Sequence, residues 1–330
     1  MQSHTKFLTL FNNKGGVGKT SLVYHLAWMF RQRGISVLAA DLDPQCNLTS
    51  AFLTDEQTDA LPDGSTIYEA ISPLLNGVGD VVVPPPIKIR RGLNLVPGDL
   101  SLSLAEDEFS LSWARAGNGG ERDFRVLSCL YRVLRKCAEN SGSDLVLIDV
   151  GPNLGALNRV AIIASDYVIT PLAPDRYSLQ GLANLGPTLR KWRKAWRKYM
   201  EENPLPTLEL PKGGMDPIGY IVMQHSERAG RPTKSYHKWI DRIPEVFHKE
   251  VLEGAAVGLT IDDDEYCIAQ IKHYRSLMPM AMEARKPIFS LTAADGAFGS
   301  HAEAVENCRK AFSRLVALLE ERLGLSNGED

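Results

Sequence analysis

Nine consecutive residues, Asn13-Lys14-Gly15-Gly16-Val17-Gly18-Lys19-Thr20-Ser21, have the types and order that can hold a chain of phosphates. They follow an apolar run, Phe7 to Phe11. They open a segment in which Leu22, Val23, Leu26, Ala27 and Phe30 recur at helical spacing until Gly34. A strand, a glycine-rich turn and a helix N-terminus in that order form an anion cradle. The glycines let the backbone curl so that successive N–H groups point inward. Lys19 is placed to reach the β- and γ-phosphates, and the Thr20 hydroxyl to ligate Mg²⁺. The usual cradle has Gly where this chain has Asn13, and the change comes with an extra cation, Lys14.

Phosphoryl transfer also needs acids in separate roles, and three stand at the ends of expected strands. Leu145-Val146-Leu147-Ile148 ends in Asp149, the position for an acid behind the metal. The run Ile35 to Ala40 ends in Asp41-Leu42-Asp43, where an α/β sheet gathers its ligands. Asp43 is the candidate that orients an attacking water, and Asp41 would support the metal's water shell. The same pair could instead only cap the strand. Gly151, just past Asp149, could let the backbone turn towards a γ-phosphate and report its presence. His25, inside the first helix, reads as packed or solvated.

The elements needed to position these groups follow from the rest of the chain. Its 330 residues, 44% hydrophobic and 23% charged, make an ordinary globular protein. A net charge of −3 excludes a globally basic nucleic-acid binder, so such a role requires a local patch. Five scattered cysteines without a Cys-x-x-Cys pair imply reduced thiols in the cytoplasm and point to no zinc or cluster site. The short start before the first strand leaves no room for a signal peptide, and no stretch of about 20 apolar residues could span a membrane.

Further strands are expected at Leu93–Gly98, Tyr167–Pro171 and Ile218–Met223, with helices at Ile67–Leu75, Asp123–Glu139, Leu179–Met200, 236–252 and Ala302–Leu323. Residues 55–66 read as a surface loop, Val81–Val83 as the lead into a proline break, and Thr260–Glu265 as a solvated acidic turn. Alternating strands and helices predict one doubly wound α/β domain over residues 1–330, a mostly parallel sheet with helices on both faces.

Three segments together resemble the nucleotide motifs of the ParA/MinD ATPases, a branch of the P-loop NTPases. They are Lys14-Gly-Gly-Val-Gly-Lys19-Thr20, Asp41-Leu-Asp-Pro-Gln-Cys-Asn-Leu-Thr and Leu-Ile-Asp149-Val-Gly-Pro. The second is most similar to the ParA/Soj branch, which partitions plasmids and chromosomes. The resemblance covers most of residues 6–225 and implies ATP and Mg²⁺ as cofactors. It implies that Lys14 crosses a homodimer interface to the partner's nucleotide, so that ATP is sandwiched. Lys19 and Thr20 carry over as phosphate and Mg²⁺ contacts, Asp43 as the water-positioning residue and Asp149 as the acid behind the metal. Val-Gly-Pro after Asp149 departs from the family's frequent Ala-Pro-Pro, and residues of about 186–290 include length that compact members lack.

Four outputs fit such a core. The first is a ParA-like positioning ATPase whose ATP dimer binds DNA non-specifically, nucleoid-associated in the cytoplasm, with a ParB-like activating partner. Six cations between Arg190 and Lys198 support it, with Trp192 and Trp196 expected to pack inward; a solvated helix back is the alternative. Arg228, Arg231, Lys234, Lys272, Arg275, Arg285 and Lys286 lie where the family binds DNA. The second is a MinD-like membrane switch, which needs a basic amphipathic tail where this chain carries an acidic one. The third is a cluster-transfer ATPase, for which Cys129 and Cys137 are poorly spaced. The fourth is a regulatory binder with little turnover.

Overall fold

Each apolar run expected as a strand joins one eight-stranded sheet of order β10-β7-β6-β1-β5-β2-β4-β3. The computed structural model describes residues 5–225, 227–228, 231–232, 238–256 and 258–325. The strands are β1 (Lys6–Leu10), β2 (Val37–Asp41), β3 (Ile87–Arg90), β4 (Leu93–Val96), β5 (Leu145–Asp149), β6 (Tyr167–Leu172), β7 (Asp216–His225) and β10 (Cys267–Lys272). All neighbours are parallel except β3 against β4 at one edge. A separate two-residue ribbon pairs β8 (Glu227–Arg228) with β9 (Arg231–Pro232).

The period of two along β1 sends Phe7 to one face of the sheet and Leu8 and Leu10 to the other. On the Phe7 face pack α4 (Ile67–Leu75), α5 (Glu106–Arg115), α6 (Glu121–Ser141), α7 (Ala156–Ile163) and the middle of α8 (Arg176–Glu201). The other face is covered by α1 (Lys19–Gln32) and the closing helix Ser300–Leu323. Because both faces are covered, β2 and β5 are buried at every residue.

Four local expectations need correction. The segment expected as a loop contains α3 (Asp55–Asp59), started by a reciprocal Thr54–Gln57 capping box. Helices α5 and α7 were not expected. After the prolines the chain returns as the antiparallel strand β3. The acidic turn is not merely solvated, because Asp264 is buried. It accepts hydrogen bonds from the Tyr220 hydroxyl (2.7 Å) and the Tyr266 N–H (3.0 Å), and lies 3.0 Å from His248 Nε2. In the described part of 236–252, the helix Ile243–Glu250 stands as expected.

Candidate functional site

The parallel register decides which side chains can meet. Leu10 pairs with Asp149, and Asp149 with Asp41, so β1, β5 and β2 end at one level. The glycine-rich turn leaves β1 at that level and passes through left-handed conformations at Gly16 (φ 72°) and Gly18 (φ 90°), which a side chain would oppose. Gly18 caps α1 without any side-chain hydrogen bond, so the dipole end of the helix faces the turn. Gly15 and Gly16 are exposed and Asn13, Thr20 and Ser21 half-buried, while Val17 anchors the turn in the interior.

Lys19 bends back over the turn, donating to the Asn12 carbonyl at 3.1 Å and lying 3.5 Å from the Lys14 carbonyl. Burial lowers its pKa, and the charges of Asp149 and Asp43 pull it back up. Lys14 is ion-paired with Asp175, whose other oxygen accepts the Ser178 N–H and caps α8. Burial pushes the Asp175 carboxyl up, but Lys14 and the Ser178 N–H outweigh it and hold the carboxyl below its ordinary range.

The three acids differ sharply. Asp41 is fully buried and accepts the Thr49 N–H (2.7 Å) and hydroxyl (2.8 Å) on one oxygen and the Asp43 N–H (3.3 Å) on the other. Burial raises its pKa to about 6 against those bonds. Asp43 accepts the Gln45 N–H at 3.0 Å and stands beside Gly151, where a Cβ would lie 3.4 Å from its carboxylate. Asp149 is fully buried with neither oxygen in a well-formed hydrogen bond. Burial, then the charge of Asp41, pushes it up to about 8, with Thr20 and Lys19 pulling the other way. A buried carboxylate left in this state suits a divalent cation, hard and oxygen-seeking, beside the Thr20 hydroxyl.

Three positioning residues escaped the sequence reading. Asn12 donates to the Pro171 carbonyl at 2.7 Å and fixes the start of the turn to β6. Thr49 also accepts the Gly98 N–H at 2.8 Å, tying Asp41 to the end of β4. Asp175 had a signal, the Asp-x-x-Ser spacing of a helix cap.

The basic tract on α8 is only partly free for a ligand. Trp192 and Trp196 pack inward as expected. Arg190 donates to the Glu250 carbonyl (2.5 Å), and Arg193 to the carbonyls of Gly214 and Met215 (both 2.7 Å), so these two cations bind the fold. Lys191, Lys194, Arg197 and Lys198 are exposed, the last three along a groove of about 550 Å³. Among the later cations, Arg285 donates to the carbonyls of Ser50 and Leu53, and Lys286 pairs with Asp295 at 2.7 Å. Lys272 and Arg275 are exposed; Lys234 and the side chains of Arg228 and Arg231 lie outside the described residues. Cys129 and Cys137 are both buried on α6. Among the described residues, no helix is long and apolar enough to cross a membrane.

A family model described as an AAA domain matches residues 5–202. The chain belongs to the ParA/MinD family of P-loop ATPases. Among curated relatives of this family chain, the sporulation initiation inhibitor Soj of Bacillus subtilis is 31% identical over 189 residues, 57% of this chain and 66% of Soj. The chromosome partitioning protein ParA of Myxococcus xanthus is 29% identical over 252 residues, 75% of this chain and 74% of that one. Protein IncC of Escherichia coli is 33% identical over 189 residues, 57% of this chain and 47% of that protein, so the match spans about half of IncC. In fold, the chain is similar to protein DIP2308 of Corynebacterium diphtheriae, with a TM-score of 0.72 and 22% identity over 97% of this chain and 99% of that one.

Proposed function

We propose that this protein is a Mg²⁺-dependent, ParA-like ATPase that forms an ATP-sandwich dimer and, in that state, binds DNA without sequence preference to position DNA or another cargo. It would work in the cytoplasm on the nucleoid, with a ParB-like or other activating partner, and residues 1–330 would form one domain with its added length within about 186–290. The observation that carries the proposal is the buried carboxylate of Asp149, without a well-formed hydrogen bond, level with the phosphate cradle and beside Thr20 and Lys19.

In this scheme the N–H groups of residues 13–21 cradle the phosphates, and Lys19, steered by the Asn12 carbonyl, neutralises the β- and γ-oxygens. Mg²⁺ held by Thr20 and Asp149, with Asp41 behind them, would supply charge neutralisation at the bridging oxygens. Asp43 orients the attacking water, and Gly151 beside it gives the chain after β5 room to respond to the γ-phosphate. Lys14 leaves Asp175 for the partner's nucleotide, a second cation acting where charge develops.

Size-exclusion chromatography with light scattering, in ATP and Mg²⁺, tests the scheme. Lys19→Ala should abolish ATP binding, Lys14→Ala should keep it and lose dimerisation and turnover, and Asp43→Ala should accumulate as a dimer. A wild type that binds ATP and stays monomeric, together with a monomeric Asp43→Ala, would sink it. Fluorescence anisotropy with unrelated duplexes should show tighter binding with ATP than with ADP, and Lys194→Ala with Arg197→Ala should weaken it.

A further inference from the structure

The chain after Asp149 is built into α7 as one body. Asn158, buried on α7, donates to the carbonyls of Gly151 (2.8 Å) and Asn153 (2.7 Å). The start of α7 is capped from another element, since Glu106 at the head of α5 accepts the Ala156 N–H (2.6 Å) and the Leu157 N–H (2.9 Å). The approach is so close that a Cβ at Gly155 would lie 2.6 Å from the Glu106 carboxylate. Residues 151–155, the start of α7 and the head of α5 are thus joined by direct hydrogen bonds.

At the far end of α5 the same two helices meet again. The Arg159 guanidinium of α7 lies 4.4 Å from the centre of the Trp113 ring of α5. Burial lowers the Arg159 pKa while the charge of Glu106 raises it, so the residue answers to the cap as well. Its buried Nε has no hydrogen-bond partner. Trp113 in turn stacks on Trp196 of α8 (centroids 6.3 Å apart, planes 15° apart) and meets Tyr199 edge-on at 5.1 Å. Trp196 is fully buried and pinned by its indole N–H to the Pro211 carbonyl (2.9 Å). On the outer side of that turn of α8 stand Lys194, Arg197 and Lys198.

We propose that Arg159 and Trp113 are positioning residues that transmit the state of the loop after Asp149 to the exposed basic face of α8. The inference rests on the proposed nucleotide-dependent DNA binding and names its internal linkage. Close-packed rings cannot absorb a sub-ångström shift by compressing, so movement of α7 must slide Trp113 over Trp196 and re-aim the lysines and arginine behind it. Neither Arg159 nor Trp113 is among the residues proposed to contact ATP or DNA, so their loss should uncouple the two sites and leave each able to bind.

The test uses Arg159→Met, which keeps much of the apolar bulk and removes the cation, and Arg159→Lys, which keeps charge and loses the planar stack. Hydrogen–deuterium exchange of residues 188–200 should differ between ATP and ADP in the wild type, and both variants should erase that difference while binding ATP normally. In anisotropy the wild-type preference for the ATP state, of the order of 5- to 150-fold for an allosteric coupling, should shrink to about twofold or less, with Trp113→Phe retaining most of it. Wild-type exchange in α8 that ignores the nucleotide, or a preference unchanged in folded Arg159→Met and Arg159→Lys, would overturn the proposal. Nucleotide-dependent exchange without any DNA binding would uphold the linkage and defeat the DNA-binding function instead.

Discussion

Asp41 and Asp149 close neighbouring strands at the same level and are equally buried, yet only the first has well-formed hydrogen bonds. At the end of β2, one threonine and a backbone N–H take up both carboxylate oxygens. At the end of β5 no protein group takes up either in a well-formed bond. Burial raises both carboxyls, to about 6 and about 8; the Thr49 and Asp43 bonds oppose it at Asp41, while the charge of Asp41 adds to it at Asp149 against Thr20 and Lys19. Equal position and equal burial do not make equal roles. Asp41 is a post that fastens β2 to Thr49 and, through it, to β4; in the proposed function Asp149 is instead the carboxylate that would accept Mg²⁺.

The contrast is most directly broken by removing each charge in turn. Asp149→Asn should cut ATP turnover by about a hundredfold or more, the scale of charge stabilisation a bound metal provides, while leaving the melting temperature without nucleotide unchanged or higher. Asp41→Ala should do the reverse in emphasis, costing about 2–3 kcal/mol in denaturant unfolding because it strands the Thr49 N–H in the interior. Equal losses of stability in the two variants would erase the distinction.

A finer test uses pH. Both carboxyls hold protons in the folded protein at pH values where the unfolded chain has released them, so stability falls as pH rises from the ordinary value of 3.8 towards about 6 and about 8. His25, kept neutral by burial down to about 4, has the opposite sign below its ordinary 6.5. Between pH 6.5 and 8 Asp149 is the acid still titrating in this site, with a slope of at most about 1.4 kcal/mol per pH unit. Thermal melts without nucleotide should decline across that window in the wild type and stay flat in Asp149→Asn. The smallest effect belongs to Asp175→Asn, which removes the partner of Lys14. Both side chains are partly exposed, so stability should change by under about 1 kcal/mol. Sedimentation with ATP should nevertheless show more dimer; less dimer would mean that Asp175 helps to place Lys14 rather than to restrain it.

The strand ends and the cradle were legible because both are local. An apolar run closed by an acid, or glycines closed by Lys-Thr, carries its meaning within ten residues. The difference between Asp41 and Asp149 was not, since Thr49 lies eight positions on and its anchor, Gly98, a further strand away. Helix α5 hid for a related reason. Its inner residues Phe109 and Ser112 alternate with the exposed Leu111, so no clean apolar stripe announces it. Asp264 looked solvated among acids until folding brought Tyr220 and His248 to it from other elements. Arg193 looked free for a ligand until the chain returned at Gly214 and Met215 to offer it carbonyls.

The pairing of Lys14 with Asp175 has a consequence for the ionic strength at which the molecule works best. Both side chains reach solvent, so dissolved salt screens their attraction and releases the lysine. In the proposed DNA-bound state the same ions would compete for the contacts of Lys194, Arg197 and Lys198 with phosphate. One effect favours assembly as salt rises and the other opposes it, so cargo binding by the assembled protein should pass through a maximum rather than decline steadily from pure water.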